Sequence, residues 1–114
     1  MMSVGEGFVV VCSDCIVPAD RARVLGALSV DREVIEISMA QMERGFCGNI
    51  LQLKNGSGEH VIAMSSTAFH AFTSDQRERL SAHGKLLHAD LSTIESVGGG
   101  SARCMLAEIF LPRA

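Results

Sequence analysis

Hydrophobic residues gather in short blocks separated by polar punctuation, and the spacing within each block predicts an element. Phe8-Val9-Val10-Val11-Cys12 is an unbroken, β-rich apolar run between Gly5 and Gly7 on one side and Ser13-Asp14 on the other, the pattern of a buried strand. Pro18 suits the first turn of a helix, and Ala22, Leu25 and Leu28 recur at threes to give it one apolar face through Ser29. Glu33-Val34-Ile35-Glu36-Ile37 alternates as a second strand, and Ser38 with Gln41 forms a capping box opening a short helix that Gly45 and Gly48 end. Alternation returns over Asn49 to Leu53. Asn55-Gly56-Ser57-Gly58 then makes a turn, and His60 to Met64 comes back as the hairpin partner.

The second half repeats the programme. Thr73 and Gln76 cap a helix running through Leu80 and stopping near Gly84, and Lys85 to Ala89 is the next strand. Ser92 and Glu95 match Ser38 and Gln41 as a third capping box, the Gly98 to Gly100 run ends that helix, and Cys104 to Leu111 is expected as the last strand before Pro112. Val9-Val10 corresponds to Val61-Ile62, and Asn49-Ile50-Leu51 to Cys104-Met105-Leu106, a self-similarity with a period of roughly fifty residues. Either the chain is built of repeats that cover one another's apolar faces, or two ordinary strand-helix-strand units are alike by chance. The pattern predicts an α/β chain with a single domain over residues 1–114, a first repeat over about 6–54 and a second over about 59–112.

Composition narrows the function classes. At 114 residues the chain has room for one domain, and 47% hydrophobic content with 20% charged residues argues for a folded chain that exposes some apolar surface. No apolar run approaches the roughly 20 residues of a membrane-spanning helix, so no membrane span is expected. No basic residue precedes the Phe8 run, which sets the expectation of a cytoplasmic protein with reduced thiols. A net charge of −3, scattered basic residues and the absence of Trp and Tyr leave no reason to expect a nucleic-acid partner.

The thiols carry the candidate chemistry. Cys12-Ser13-Asp14-Cys15 has C-x-x-C spacing, but a structural zinc needs four ligands and no second such pair follows, so no metal and no cofactor is expected. Cys12 and Cys47 suit the core as small hydrophobes. Cys104 follows Gly98-Gly99-Gly100-Ser101-Ala102-Arg103 and leads into Met105-Leu106-Ala107-Glu108-Ile109-Phe110-Leu111, a setting that suits a well-aimed thiol beside a close ligand approach and equally a packed thiol after a turn. The triple glycine lacks a Walker lysine, so it is not a phosphate cradle.

The strings Phe46-Cys47-Gly48-Asn49-Ile50-Leu51 and Ile94 to Ile109 resemble the last two repeats of the pentein superfamily. The nearest branch is that of the amidinotransferase-like citrulline utilization hydrolases, relatives of dimethylarginine dimethylaminohydrolase and arginine deiminase. The resemblance implies an α/β propeller of ββαβ units, about two of which this chain would supply. It further implies that Cys104 corresponds to a cysteine that attacks the guanidinium carbon, in concert with a histidine general acid and base and acidic residues that grip the cation. Asn49, at the position aligning with Cys104 one repeat earlier, is the candidate for a substrate-binding or site-orienting role, with a plain turn residue as the alternative.

The chain departs from that pattern. The family's histidine belongs to a stretch just before the one that Met1-Met2-Ser3-Val4-Gly5 resembles, and the acidic clamp is also absent. His60, His70, His83 and His88 do not occupy the family position. The expectation is therefore a truncated guanidine or ureido hydrolase that keeps its nucleophilic cysteine and is inactive alone, with an arginine-like or citrulline-like small molecule as its ligand. Uncovered blade edges would favour a homodimer or a partner chain. The alternatives are a non-catalytic oligomerisation or partner-binding module on the same scaffold and, ranked behind it, a thiol redox or metal module built on Cys12 and Cys15.

Overall fold

The run from Phe8 is hydrophobic at every position because both of its faces are covered. In the computed structural model, which describes residues 1–108, β2 (Phe8–Val11) is buried throughout. Phe8, Val10 and Cys12 point into one cluster with Ile35, Ile50, Ile62, Met64, Phe72 and Leu80, while Val9 and Val11 meet Ile16, Val24, Leu25 and Leu28 on the other side. The second group belongs largely to α1 (Pro18–Leu28), which Pro18 starts at its first turn. Its inward face runs through the half-buried Val24, Leu25 and Leu28. Ala22, expected on that face, is exposed, because spacing at threes drifts around a helix that turns once in 3.6 residues.

Hydrogen bonding groups the strands into two sheets of the same plan. In the first, β1 (Met2–Val4) pairs antiparallel with β2, and β2 pairs parallel with β3 (Glu33–Glu36). In the second, β4 (Leu51–Lys54) pairs antiparallel with β5 (His60–Ser65), and β5 pairs parallel with β6 (Lys85–Ala89). β1, only three residues long, was not foreseen. It turns into β2 at Gly5, where a Cβ would collide with the Phe8 ring. The β4–β5 hairpin is the expected one. Its turn is fixed by Asn55 Oδ1, which accepts from the amides of Ser57 and Glu59 at 2.9 Å each, and by Gly58 at φ +82.

Two of the three expected capping boxes form, and their glutamines meet. Ser38 caps α2 (Met39–Glu43) with Gln41, and Thr73 caps α4 (Ser74–Ser81) with Gln76. Gln41 Nε2 donates to Gln76 Oε1 at 2.7 Å and to the Ala71 carbonyl at 2.9 Å, while Gln76 Nε2 donates to the Glu36 carbonyl at 2.8 Å. A second tie joins the same units, since Glu33 takes Arg79 Nε on one oxygen and His83 Nε2 on the other, the latter at 2.8 Å. These two partners, His83 first, hold the Glu33 carboxyl below its ordinary pKa.

Two expectations fail near the end of the described residues. The helix α5 (Ser92–Gly98) starts from Leu91 without a side-chain cap, so Ser92 and Glu95 form no capping box. Glu95 is turned inward instead. The strand expected over Cys104 to Leu111 is replaced at its start by a 3-10 turn, Ala102–Met105, followed by irregular chain through Glu108; positions 109–111 lie outside the described residues. A helix α3 (Ser66–Ala71), capped by the Ser65 hydroxyl, was also unforeseen. Among the described residues no helix is long and apolar enough to cross a membrane.

Candidate functional site

Three consecutive backbone devices aim Asn49. The Cys47 amide donates to the Gln41 carbonyl at 3.0 Å, and Phe46 takes φ +54, a left-handed conformation that a bulky residue adopts only when its surroundings enforce it. The chain then reverses, with the Asn49 amide donating to the Phe46 carbonyl at 2.9 Å. Buried Ser3 pins the segment from β1. Its hydroxyl donates to the Gly48 carbonyl at 2.7 Å and accepts from the Ile50 amide at 3.1 Å.

The glycine run is held from the opposite side. Gly99 ends α5 at φ +67 with its amide on the Glu95 carbonyl at 3.2 Å, a left-handed cap that glycine takes without strain. Ser101, fully buried, donates from Oγ to Glu95 Oε1 at 2.6 Å, and Thr67 Oγ1 donates to Glu95 Oε2 at 2.7 Å. Burial would push the Glu95 carboxyl up, but hydrogen bonds from Ser101, Ser65 and Thr67 outweigh it and hold the group below the usual range. Glu95 is therefore an anionic post inside the protein, to which the end of the glycine loop is tied.

Between these two supports sits Cys104. Asn49 Nδ2 donates to its Sγ at 2.9 Å, Asn49 Oδ1 accepts from its amide at 3.3 Å, and the Asn49 carbonyl accepts from the Arg103 amide at 3.4 Å. The Cys104 amide also donates to the Ser101 carbonyl at 3.0 Å. Gly100 lies close by, since a Cβ there would stand 3.3 Å from Sγ. The thiol is exposed, and its pKa is lowered, first by the Asn49 hydrogen bond, then by a backbone hydrogen bond at Ser101 and by the charge of Arg103, with burial opposing. Cys47, by contrast, is buried and pushed up to about 12, which leaves it unreactive.

The fold thus brings Asn49 and Cys104 into contact across 55 positions of sequence. It gives the histidines other partners: His60 meets Glu6 at 3.0 Å, His83 meets Glu33, and His88 meets Ser66 Oγ at 2.9 Å while stacking on Phe69. His70 lies edge-on to the same Phe69 ring. A polar cleft of ≈ 240 Å³ opens beside Asn49, lined by Glu43, Phe46, Gly48 and Gly99 among others. Cys12 is buried and Cys15 half-buried at the end of β2, and among the described residues no group of three His, Cys, Asp or Glu side chains is arranged to hold a metal. Sequence reasoning missed Ser3, Thr67, Glu95 and Ser101 as supports. The one signal available was the Glu95 to Ser101 spacing across a glycine run, which a capping-box reading absorbed.

Taken together, the arrangement defines a mixed α/β protein with two three-stranded sheets and an exposed, acidified thiol on a glycine-rich turn. The chain belongs to the family described as N,N dimethylarginine dimethylhydrolase, eukaryotic, whose model matches residues 1–111. No curated protein and no solved structure matches the chain.

Proposed function

We propose that this chain carries the thiol portion of a guanidine or ureido hydrolase site, with Cys104 as nucleophile and Asn49 as the group that orients it. The observation that carries the reading is the 2.9 Å contact from Asn49 Nδ2 to the exposed Cys104 Sγ, within a chain of a guanidine-hydrolase family. A thiolate is the reactive form of cysteine, and a neutral amide donor favours it without the tight pairing that a cation would impose. In the reaction Sγ would bond to the guanidinium carbon, an amine would leave with a proton, and water would then release the ureido product and the thiol. The glycine-rich approach to Cys104 and the Phe46-Cys47-Gly48-Asn49 string support kinship with the amidinotransferase-like citrulline utilization hydrolases, and the shared plan of the two sheets supports reading each as one propeller blade.

The chain alone is catalytically silent in this reading. No histidine or carboxylate among the described residues hydrogen-bonds to Cys104 Sγ, and general acid and base catalysis is worth about 10²–10⁴-fold. Two measurements test the two halves of the proposal. Arginine or an N-methylated arginine, but not lysine, should slow alkylation of Cys104 by occupying the space before Sγ; absence of any protection at saturating concentrations would sink the guanidine reading. Product release from the same compounds should not exceed that of Cys104→Ala, and a rate that vanishes with Cys104 would refute the silence.

A second reading is favoured by an apolar cleft of ≈ 200 Å³ lined by Ala63, Met64, Leu87, Ala102, Met105 and Leu106, of which Leu87 is 57% and Met105 49% exposed. This is a surface for oligomerisation or a partner chain on a retained scaffold. Sedimentation equilibrium separates the two. A monomer at every concentration removes self-association, and Cys104 alkylation that arginine-like compounds leave unslowed favours the non-catalytic module.

A further inference from the structure

The C-x-x-C motif at the end of β2 is not used by the proposed site, yet the fold completes it. Cys12 stands at the start of a single 3-10 turn, Ser13–Cys15, closed by the Cys15 amide on the Cys12 carbonyl at 3.1 Å. This turn folds Cys15 back toward Cys12. Cys15 packs against the core cluster to which Cys12 belongs, and hydrogen bonding to the Cys12 side chain is the first cause of its raised pKa. The third group comes from the neighbouring parallel strand. The connection after β3 begins α2 with Met39, whose Sδ lies 3.7 Å from Cys15 Sγ. All three sulfurs therefore sit beyond the carboxyl ends of adjacent parallel strands, the edge at which open α/β sheets bind ligands.

We propose that Cys12, Cys15 and Met39 form a three-sulfur site for a soft monovalent metal ion, copper(I). Thiolate and thioether donors without imidazole or carboxylate select Cu(I), while zinc requires four N, S or O ligands that this corner does not supply. Metal–sulfur bonds of about 2.3 Å in a trigonal plane separate the sulfurs by about 4 Å, close to the 3.7 Å between Cys15 Sγ and Met39 Sδ. Binding is balanced as two thiols releasing two protons to give a bis-thiolate, thioether complex of net charge −1. Arg21 pairs with Asp14 of the same turn at 3.6 Å. Cys12 is fully buried, Cys15 half-buried and Met39 exposed, so the ion would enter from the surface and be gripped from the interior by Cys12.

The test is an anaerobic titration of the chain, in a Cys104→Ala background that removes the exposed competing thiol, with Cu(I) supplied as its bicinchoninate complex. One equivalent should transfer to the protein, Cys15→Ser should abolish the transfer, and Met39→Leu should weaken affinity on the order of tenfold while conserving side-chain volume. Excess Zn²⁺ should not displace the ion. Undiminished transfer to Cys15→Ser, wild-type affinity in Met39→Leu, or one-for-one displacement by Zn²⁺ would each overturn the site. Met39→Leu replaces an exposed methionine, so its result stands even where Cys15→Ser perturbs the turn.

Discussion

Replacing Asn49 with alanine isolates the physical claim on which the functional reading stands. The substitution deletes the Nδ2 contact to Cys104 Sγ at 2.9 Å and the Oδ1 contact to the Cys104 amide at 3.3 Å. Hydrogen bonds to charged groups contribute roughly 1.5–3 kcal/mol, but exposure of the thiolate to solvent reduces this toward about 1 kcal/mol. The longer amide contact is at the weak limit of hydrogen-bond geometry and adds little. A difference of about 1 kcal/mol corresponds to a roughly fivefold change in population. The sign follows from the direction of the shift: the native thiol is acidified, so losing Asn49 moves its titration to higher pH and lowers the thiolate fraction at neutral pH. Alkylation by iodoacetamide, followed across pH by peptide mass so that Cys104 is read apart from Cys15, should therefore slow about fivefold at pH 7 and converge with wild type at high pH. The reasoning is refuted by a folded Asn49→Ala chain whose rate–pH profile at Cys104 overlays that of wild type.

Glu95→Ala strips the acceptor from the Ser101 and Thr67 hydroxyls and should cost about 2–4 kcal/mol in urea unfolding, as one fully buried and one part-buried donor lose their partner; a loss below about 0.5 kcal/mol would contradict the anionic post. Gly99→Ala meets no neighbour but forces a side chain to φ +67, so its cost should be about 1–2 kcal/mol with no new clash. Because Glu33 is acidified by His83 and Arg79, its contribution to stability is present above its ordinary value of 4.5 and is lost as pH falls through the lower folded value. Thermal unfolding of Glu33→Gln should accordingly lose less between pH 6 and pH 3 than wild type does, and an equal loss in both would count against the pairing.

Strands and helices were legible where a local pattern and the tertiary environment agree. The Phe8 run, the Asn55 turn and the two true capping boxes carry their cause in adjacent residues, and each formed as expected. What failed was set at a distance. Ser92 and Glu95 have capping-box spacing, but two hydroxyls from Thr67 and Ser101 compete for the carboxylate inside the protein, and burial with three hydrogen bonds wins over an exposed cap. The apolar residues after Cys104 have strand composition, yet the described part, through Glu108, pairs with no strand and closes into a 3-10 turn, because β5, against which it packs, is already paired on both sides by β4 and β6. Strand propensity describes a fit to a half-covered surface, so it cannot act where no adjacent strand presents one. Asn49 and Cys104 were each singled out, whereas their supports were not, because a serine in a three-residue strand or a glutamate in a short helix has no sequence signal that distinguishes a post from a solvated side chain.

The thiol is consequently held by two independent supports that belong to different parts of the chain. Ser3 and the reversed turn at Phe46 fix Asn49 from the first sheet, while Glu95 fixes Ser101 and hence the Cys104 amide from the second. The Gln41–Gln76 pair and the Glu33, Arg79 and His83 cluster set how the two units stand against each other. Gln76→Ala removes the contacts to Gln41 and the Glu36 carbonyl, about 2 kcal/mol of hydrogen bonding far from residue 104. If Cys104 is acidified by Asn49 across that junction, loosening the junction should raise the pH at which Cys104 alkylates while the fold is still intact. Should Gln76→Ala instead lower stability with the Cys104 profile unmoved, Asn49 and Cys104 would have to be held together locally, and the two sheets would be passive walls of the site.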